Sequence, residues 1–268
     1  EAATRCLSRA LHERDLESPG EAGRIMLGED FRTTRSQKFT IPLPGLESGD
    51  VTYTVGFGAR VSNGSSTLKF DADDGSNVSN ATIPGVSESQ FIVRNEFARQ
   101  AHVEGGKLNL TIDYSCTGAL FTARLDYIRV EYERTLDLKE GEIVFYDKFP
   151  GATRVKITGA SENSRVWNVT DPARPVAMKC ELDGDALYFT APSGYGEYVA
   201  FDTAKGGASV TRAGIVANQN IHGMEEPDMV IIAYSEYASA AAKIARLHEE
   251  EGLKVSVLTP EAVYNEFS

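Results

Sequence analysis

At 268 residues, 41% hydrophobic and 25% charged, the chain has the composition of an ordinary globular protein long enough for two domains, neither low-complexity nor disordered. Its 27 Lys and Arg against 39 Asp and Glu give a net charge of -12, which repels phosphate backbones and anionic headgroups and argues against a nucleic-acid partner. No apolar run approaches the length of a membrane-spanning helix, and residues 1–11 lack the basic start and apolar core of a signal peptide.

Residues 1–35 are charged and weakly patterned, and the spacing of Leu7, Ala10, Leu11 and Arg14 predicts a short helix before the turn at Ser18, Pro19 and Gly20. From Phe39 onward the pattern changes. Val51, Tyr53, Val55, Phe57, Ala59 and Val61 alternate with Thr52, Thr54, Gly56, Gly58 and Arg60, the period-two signature of a half-buried strand. Further strands are expected at Thr67–Phe70, Phe91–Val93, Lys107–Tyr114 and Leu120–Glu133. They are separated by Ser62-Asn63-Gly64, by Asp71–Asn77 and by Glu104-Gly105-Gly106, residue types that supply chain reversals. Many short strands with glycine-rich turns predict an antiparallel β-sandwich of jelly-roll type over 36–137.

A boundary falls near Leu136–Gly141, and a second, smaller all-β unit with a linker is expected over 138–222. Its strands read as Glu142–Tyr146, Arg154–Thr158, Arg165–Val169, Val176–Glu181, Ala186–Thr190 and Tyr198–Asp202, with Asp183-Gly184-Asp185 as a hairpin turn.

Residues 223–268 differ in kind. Met229–Tyr234 is the continuous apolar run of a strand covered on both faces. A helix follows, with Ser235 as N-cap, Ala241, Ile244, Ala245 and His248 along one stripe, and Gly252 at the stop. Lys254–Leu258 is the next strand, and Thr259-Pro260-Glu261 opens another helix with a capping hydroxyl and a proline at its first position. This is a βαβ unit, and two parallel strands do not cover both their faces alone, so the reading expects a truncated α/β domain.

Particular strings are more specific than these patterns. Asn218-Gln219-Asn220-Ile221-His222-Gly223, Pro227-Asp228-Met229 and Tyr264-Asn265-Glu266-Phe267-Ser268 resemble the approach to the peptidase domain in the gingipain-like C25 cysteine peptidases that serve as type IX secretion sortases of Bacteroidota. Upstream, Gly28-Glu29-Asp30-Phe31, Leu125-Asp126-Tyr127-Ile128 with Tyr132-Glu133-Arg134, and Val166-Trp167-Asn168-Val169-Thr170-Asp171-Pro172 are similar to the region preceding it. The resemblance implies a caspase/gingipain-like α/β peptidase domain of which this chain holds only the start, before the cysteine–histidine dyad.

It also implies a cell-surface, outer-membrane-associated protein exported through the periplasm. Such a protein cleaves the C-terminal sorting domain from secreted cargo and joins the cargo to anionic lipopolysaccharide, beside an outer-membrane β-barrel anchor protein. The full-length parent is then a cysteine endopeptidase of transpeptidase type, and this chain alone is not an enzyme. A free-standing carbohydrate-binding or adhesin-type β-sandwich module is the alternative.

Candidate sites were weighed against plainer readings. Cys6, Cys116 and Cys180 lie far apart without zinc or disulfide spacing and read as buried free thiols, although one disulfide is compatible with the sequence. His222 reads as a structural residue, so no catalytic residue is assigned. Asp71, Asp73, Asp74 and Asn77 miss the calcium-loop spacing and read as a solvated turn, so no metal site is assigned.

After the apolar strand only Ser235-Glu236-Tyr237 follows, without the glycines a dinucleotide needs, so neither a dinucleotide nor any other cofactor is expected. Glu249-Glu250-Glu251 reads as a solvated helical face. Sequons at Asn63, Asn80, Asn109 and Asn168 mean little in a bacterial protein, and Asp202-Thr203-Ala204 resembles a short bacterial O-glycosylation sequence. Trp167, Tyr53, Tyr114 and Tyr127 are read as core residues before a sugar-stacking platform.

Overall fold

The computed structural model describes residues 2–267 except 22, 24, 63, 73–76, 87–89, 119, 140 and 206–209. They form two compact units, Glu1–Gly207 and Ala208–Ser268. Among the described residues, the regular structure of the first unit is strands, apart from two short 3-10 turns. In chain order these are β1 (Arg5–Glu13), β2 (Ser36–Pro42), β3 (Ser48–Val61), β4 (Ser65–Ala72), β5 (Asn77–Pro84), β6 (Val93–Glu104), β7 (Lys107–Cys116) and β8 (Phe121–Thr135). There follow β9 (Glu142–Phe149), β10 (Thr153–Ile157), β11 (Ser164–Asn168), β12 (Val176–Ala177), β13 (Glu181–Asp183), β14 (Ala186–Ala191) and β15 (Gly194–Asp202).

An eight-stranded antiparallel sheet, ordered β12-β11-β15-β9-β1-β8-β3-β6, is the frame of the unit. Two smaller sheets lie against it: β2-β7-β4-β5 and β10-β14-β13. The expected antiparallel sandwich is present: Val51, Tyr53, Val55, Phe57, Ala59 and Val61 of β3 point inward and are buried. All of these but Val61 form the first core with Leu68, Phe70, Leu108, Leu110 and Ile112 from the four-stranded sheet. Burying side chains of this size contributes roughly 1.5–3 kcal/mol each, which is what the alternation encodes.

A second core gathers Leu136, Leu138, Phe145, Val155, Phe189 and Tyr198. Gly184, at φ 62, makes the expected tight turn between β13 and β14, where Asp183 pairs with Ala186.

The helix expected around Leu7–Arg14 is instead β1, in register with β8 from Arg5↔Thr135 to Glu13↔Tyr127 and touching β9 at Leu7↔Tyr146. Pairing on both sides overrides the local spacing, because each unpaired backbone group inside the sheet would be costly. Residues 6, 8 and 10 share one face of this strand. Cys6 belongs to the second core, Ala10 packs against the first, and buried Ser8 stands between them, donating its hydroxyl to Val144 O at 2.8 Å. Both cores therefore lie on the same face of the large sheet, and β1 is the strand they share.

Two strands were illegible. The strand expected at Phe91–Val93 begins only at Val93 and runs to Glu104, leaving Phe91 outside it and 65% exposed. β5 starts at Asn77, at the end of what read as a turn.

In the second unit, β16 (Met229–Ile232) pairs in parallel with β17 (Val255–Leu258), with α1 (Ala238–Glu250) connecting them and α2 (Pro260–Phe267) following. The βαβ reading is correct, and Thr259 Oγ1 accepts from Ala262 N at 3.2 Å as the expected cap of α2. Ser235 does not cap α1. It opens a 3-10 turn, Ser235–Tyr237, and α1 begins at Ala238 without a side-chain cap. Of the predicted stripe, Ala241 and Ala245 are buried, whereas Ile244 is open. Nor is the apolar strand covered on both faces by the described residues, since Val230 and Ile232 are 46% and 57% exposed. Gly252, at φ 95, ends the helix region as expected.

Candidate functional site

The groups capable of nucleophilic or acid–base work are dispersed. All three cysteines are free. Burial, followed by Asp147 and Glu133, pushes the Cys6 thiol up to about 12, and burial also raises Cys180. Both thiols are protonated at neutral pH and are poor nucleophiles. Cys116 donates to Gly118 O at 3.4 Å.

Each of the four histidines faces a carboxylate. His12 Nε2 meets Glu29 Oε1 at 3.0 Å, with its ring 5.1 Å from that of Phe39. His102 Nδ1 lies 2.7 Å from Asp50 and Nε2 3.3 Å from Glu104, and these carboxylates raise its pKa. His248 Nδ1 meets Glu251 at 3.0 Å. These rings are held by hydrogen bonds to carboxylates rather than beside a thiol.

His222 sits in a clasp within the second unit. Glu266, near the end of α2, accepts the His222 backbone N–H at 2.7 Å and faces its ring Nδ1 at 2.8 Å, while Gln219 Nε2 donates to the other carboxylate oxygen at 2.9 Å. The His222 and Phe267 rings lie 4.3 Å apart. The backbone N–H groups of Ile221 and His222, then the two side chains, hold Glu266 down at about 2. A carboxylate acceptor thus ties 219–222 to α2, a structural arrangement that the Asn218–Gly223 string signalled by position but not by partner.

One concavity was not read from the sequence. On the outer face of the eight-stranded sheet, opposite the cores, a trough of about 690 Å³ is lined by Leu7, Thr52, Gln100, His102, Glu131 and Tyr146 among others. At one end Arg9 lies 4.2 Å over the Tyr146 ring and donates to Tyr195 Oη at 3.0 Å. Tyr146 Oη donates to Glu131 at 3.1 Å and Tyr195 Oη to Glu197 at 3.1 Å. Arg5 pairs with Glu133 at 2.9 Å. The wall therefore offers one apolar ridge, Leu7 and Tyr146, beside carboxylates and an amide, a mixture suited to hydrogen-bonding polyols or extended peptide. Its signal in the sequence was the outward phase of β1, β6 and β8, visible only once β1 and β6 are known to be strands.

Other candidate residues separate. Tyr53 and Tyr114 are core residues, whereas Trp167 is 41% exposed with its edge against Phe201 at 6.1 Å. Asp73 and Asp74 lie outside the described residues, as does the side chain of Asn77, and no metal-ligand cluster occurs among the described residues. Thr203 donates its hydroxyl to Asn163 O at 3.0 Å, and Asp202 accepts from Ser161 and Ala204 at 2.9 Å each. Glu249, Glu250 and Glu251 are exposed.

Residues 222–268 match Peptidase family C25. Over the whole chain the fold is that of dimeric latent PorU from Porphyromonas gingivalis, with a TM-score of 0.78 and 24% identity, covering 100% of this chain and 27% of that one. The carbohydrate-binding module CBM6cm-2 of Cellvibrio mixtus lichenase 5A aligns over 49% of this chain and 98% of its own at 16% identity, but at a TM-score of 0.26 that likeness carries no weight. No curated protein matches the sequence.

Proposed function

We propose that this chain is the non-catalytic amino-terminal region of a cell-surface sortase of the PorU kind. The whole protein would cleave the C-terminal sorting signal from type IX secretion cargo and attach the cargo to anionic lipopolysaccharide at the outer membrane, next to a β-barrel anchor. The observation that carries this reading is the coincidence of two likenesses: the PorU fold follows both units, and the C25 match begins at His222, within the clasp that leads into the βαβ unit. In such a protein a thiolate attacks the scissile carbonyl, a histidine moves protons and backbone donors hold the oxyanion. The protonated Cys6 and Cys180 suit none of these tasks, so the role left to the β unit is scaffold and cargo guide, with the trough as the surface on which an extended cargo segment would run.

In a strain lacking the gene, secreted cargo is expected to retain its C-terminal domain and to leave the cell without lipopolysaccharide. Normally trimmed, lipid-linked cargo in that strain would refute the sortase reading. The purified 268-residue chain is expected to take up no cysteine-protease activity probe. Labelling that depended on Cys6, Cys116 or Cys180 would show instead that it carries its own nucleophile.

The trough and exposed Trp167 also favour a second reading, a carbohydrate-binding surface. Affinity electrophoresis in soluble polysaccharide separates the two: retardation of the isolated chain that Trp167→Ala abolishes would support glycan binding over cargo guidance.

A further inference from the structure

We infer that the trough on the outer face of the large sheet takes an extended basic peptide segment, whose lysine or arginine head meets Glu131. The inference rests on the cargo-guide reading of that surface and names the chemistry of what runs along it. The wall crosses five neighbouring strands, β6, β3, β8, β1 and β9, and strand spacing gives it a length of roughly 19 Å, the reach of about six extended residues. β3, β8 and β1 are each paired on both sides, so their backbones take no further strand. A segment lying over them is recognised through side chains instead.

Register sets those side chains in two rows. In one, His102 stands opposite Asp50, and Leu7 lies between Glu133 and Tyr146. The other runs Gln100, Thr52, Glu131 and Arg9. The carboxylates differ in what they hold. Glu133 is paired with Arg5 at 2.9 Å and Asp50 with His102 at 2.7 Å. Glu131, half-buried between them, accepts from the neutral Tyr146 hydroxyl at 3.1 Å, and among the described residues no cation pairs with it. Its cross-strand neighbour Arg9 turns away, over the Tyr146 ring and towards Tyr195 Oη and Glu197.

Asp50, Glu131 and Glu133 against His102 leave the lining acidic, in a chain whose net charge is -12. A partner's cation supplies what Glu131 lacks, whereas an acidic peptide or anionic glycan is repelled by the same wall. Leu7, 39% exposed in the next row, offers the apolar contact beside it, so the surface fits a basic residue followed by an apolar one.

The probe is a blocked, fluorescent octapeptide of alternating lysine and valine, titrated in low salt against the 268-residue chain. Polarisation should rise with this peptide and not with its glutamate-for-lysine counterpart, and added salt should weaken the binding. Glu131→Gln, which keeps an acceptor for Tyr146 Oη, should weaken it about tenfold. Leu7→Ser, which leaves every carboxylate in place, should weaken it severalfold and keeps the test open if the charge change disturbs folding. Glu162→Gln, an equal loss of charge outside the trough, should leave it unchanged.

No binding of the lysine peptide, equal binding of the two peptides, or unchanged affinity in both trough variants would overturn the proposal. So would retardation in soluble polysaccharide that Glu131→Gln abolishes, which would hand the trough to a glycan. If the lysine peptide does not bind while the strain lacking the gene leaves its cargo untrimmed, this inference alone falls. Trimmed cargo in that strain, with the peptide bound at Glu131, removes the sortase reading and leaves the basic ligand of the trough standing.

Discussion

Glu266, largely covered, and His102, exposed, are residues whose titration is set by their hydrogen-bond neighbours. Glu266 is held down at about 2, below its ordinary 4.5, by the amides of Ile221 and His222. A depressed carboxyl contributes stability that is fully present above 4.5 and is lost as the pH falls through about 2. Carboxyl NMR should therefore place the Glu266 midpoint near 2, and Glu266→Gln should speed exchange of the His222 amide. A midpoint at 4.5 would mean that the clasp does not form in solution.

His102 has the opposite sign. Asp50 first, then Glu104, raise it above 6.5, so its contribution is complete below 6.5 and disappears as the pH climbs through the raised value. Asp50→Asn should bring the ring's NMR titration midpoint down towards 6.5. An unmoved midpoint would assign the shift elsewhere.

At the scale of elements, β1 decides how the first unit coheres. It sits between β8 and β9 in the middle of the large sheet, and it gives Cys6 to one core and packs Ala10 against the other. Proline at a central strand position removes a ladder hydrogen bond and leaves a buried carbonyl unpaired, at roughly 1–3 kcal/mol. Ala10→Pro should therefore cost roughly 1–3 kcal/mol in urea unfolding, and the signals of both cores should move together. Loss of the first core alone would show the two to be independent domains.

The same strand shows what a sequence conceals. Leu7 and Leu11 point to the open face, and their four-residue spacing, with Ala10, imitates a helix; only the register with Thr135–Tyr127 shows otherwise. β3 was legible because one face of it is apolar without interruption. β5 and β6 were not, because they lie at sheet edges, where neither face has to be fully apolar, and one face of β6 carries Arg94, Glu96, Gln100, His102 and Glu104. Arg99 of β6 donates to Ser79 Oγ and Asn80 O of β5, both at 3.1 Å, satisfying edge groups that a sequence pattern cannot assign. The trough was hidden for the same reason, since part of its wall comes from outward residues of β1 and β6, which the pattern did not mark as strands.

For the molecule as a whole, burial is unevenly divided. The first unit holds two continuous cores and nearly all the fully buried large side chains, Tyr53, Tyr198, Phe57, Phe70 and Phe145 among them. Among the described residues of the second unit only Ala241 and Ala245 are buried, while Val230, Ile232, Ile244, Leu247 and Val257 are 42–57% exposed. Alanine buries little apolar area, and a two-stranded sheet is marginal without a covered face. Local opening free energies follow this density of contacts, from near zero to the full stability of the fold.

Amide exchange of the whole chain should therefore separate the units. β3 and β8 should stay protected longest, and β16, α1 and β17 should exchange early, with the amides tied to Glu266 the slowest of the second unit. Equal protection of β16 and β3 would mean that Val230 and Ile232, exposed in the isolated second unit, are covered in solution.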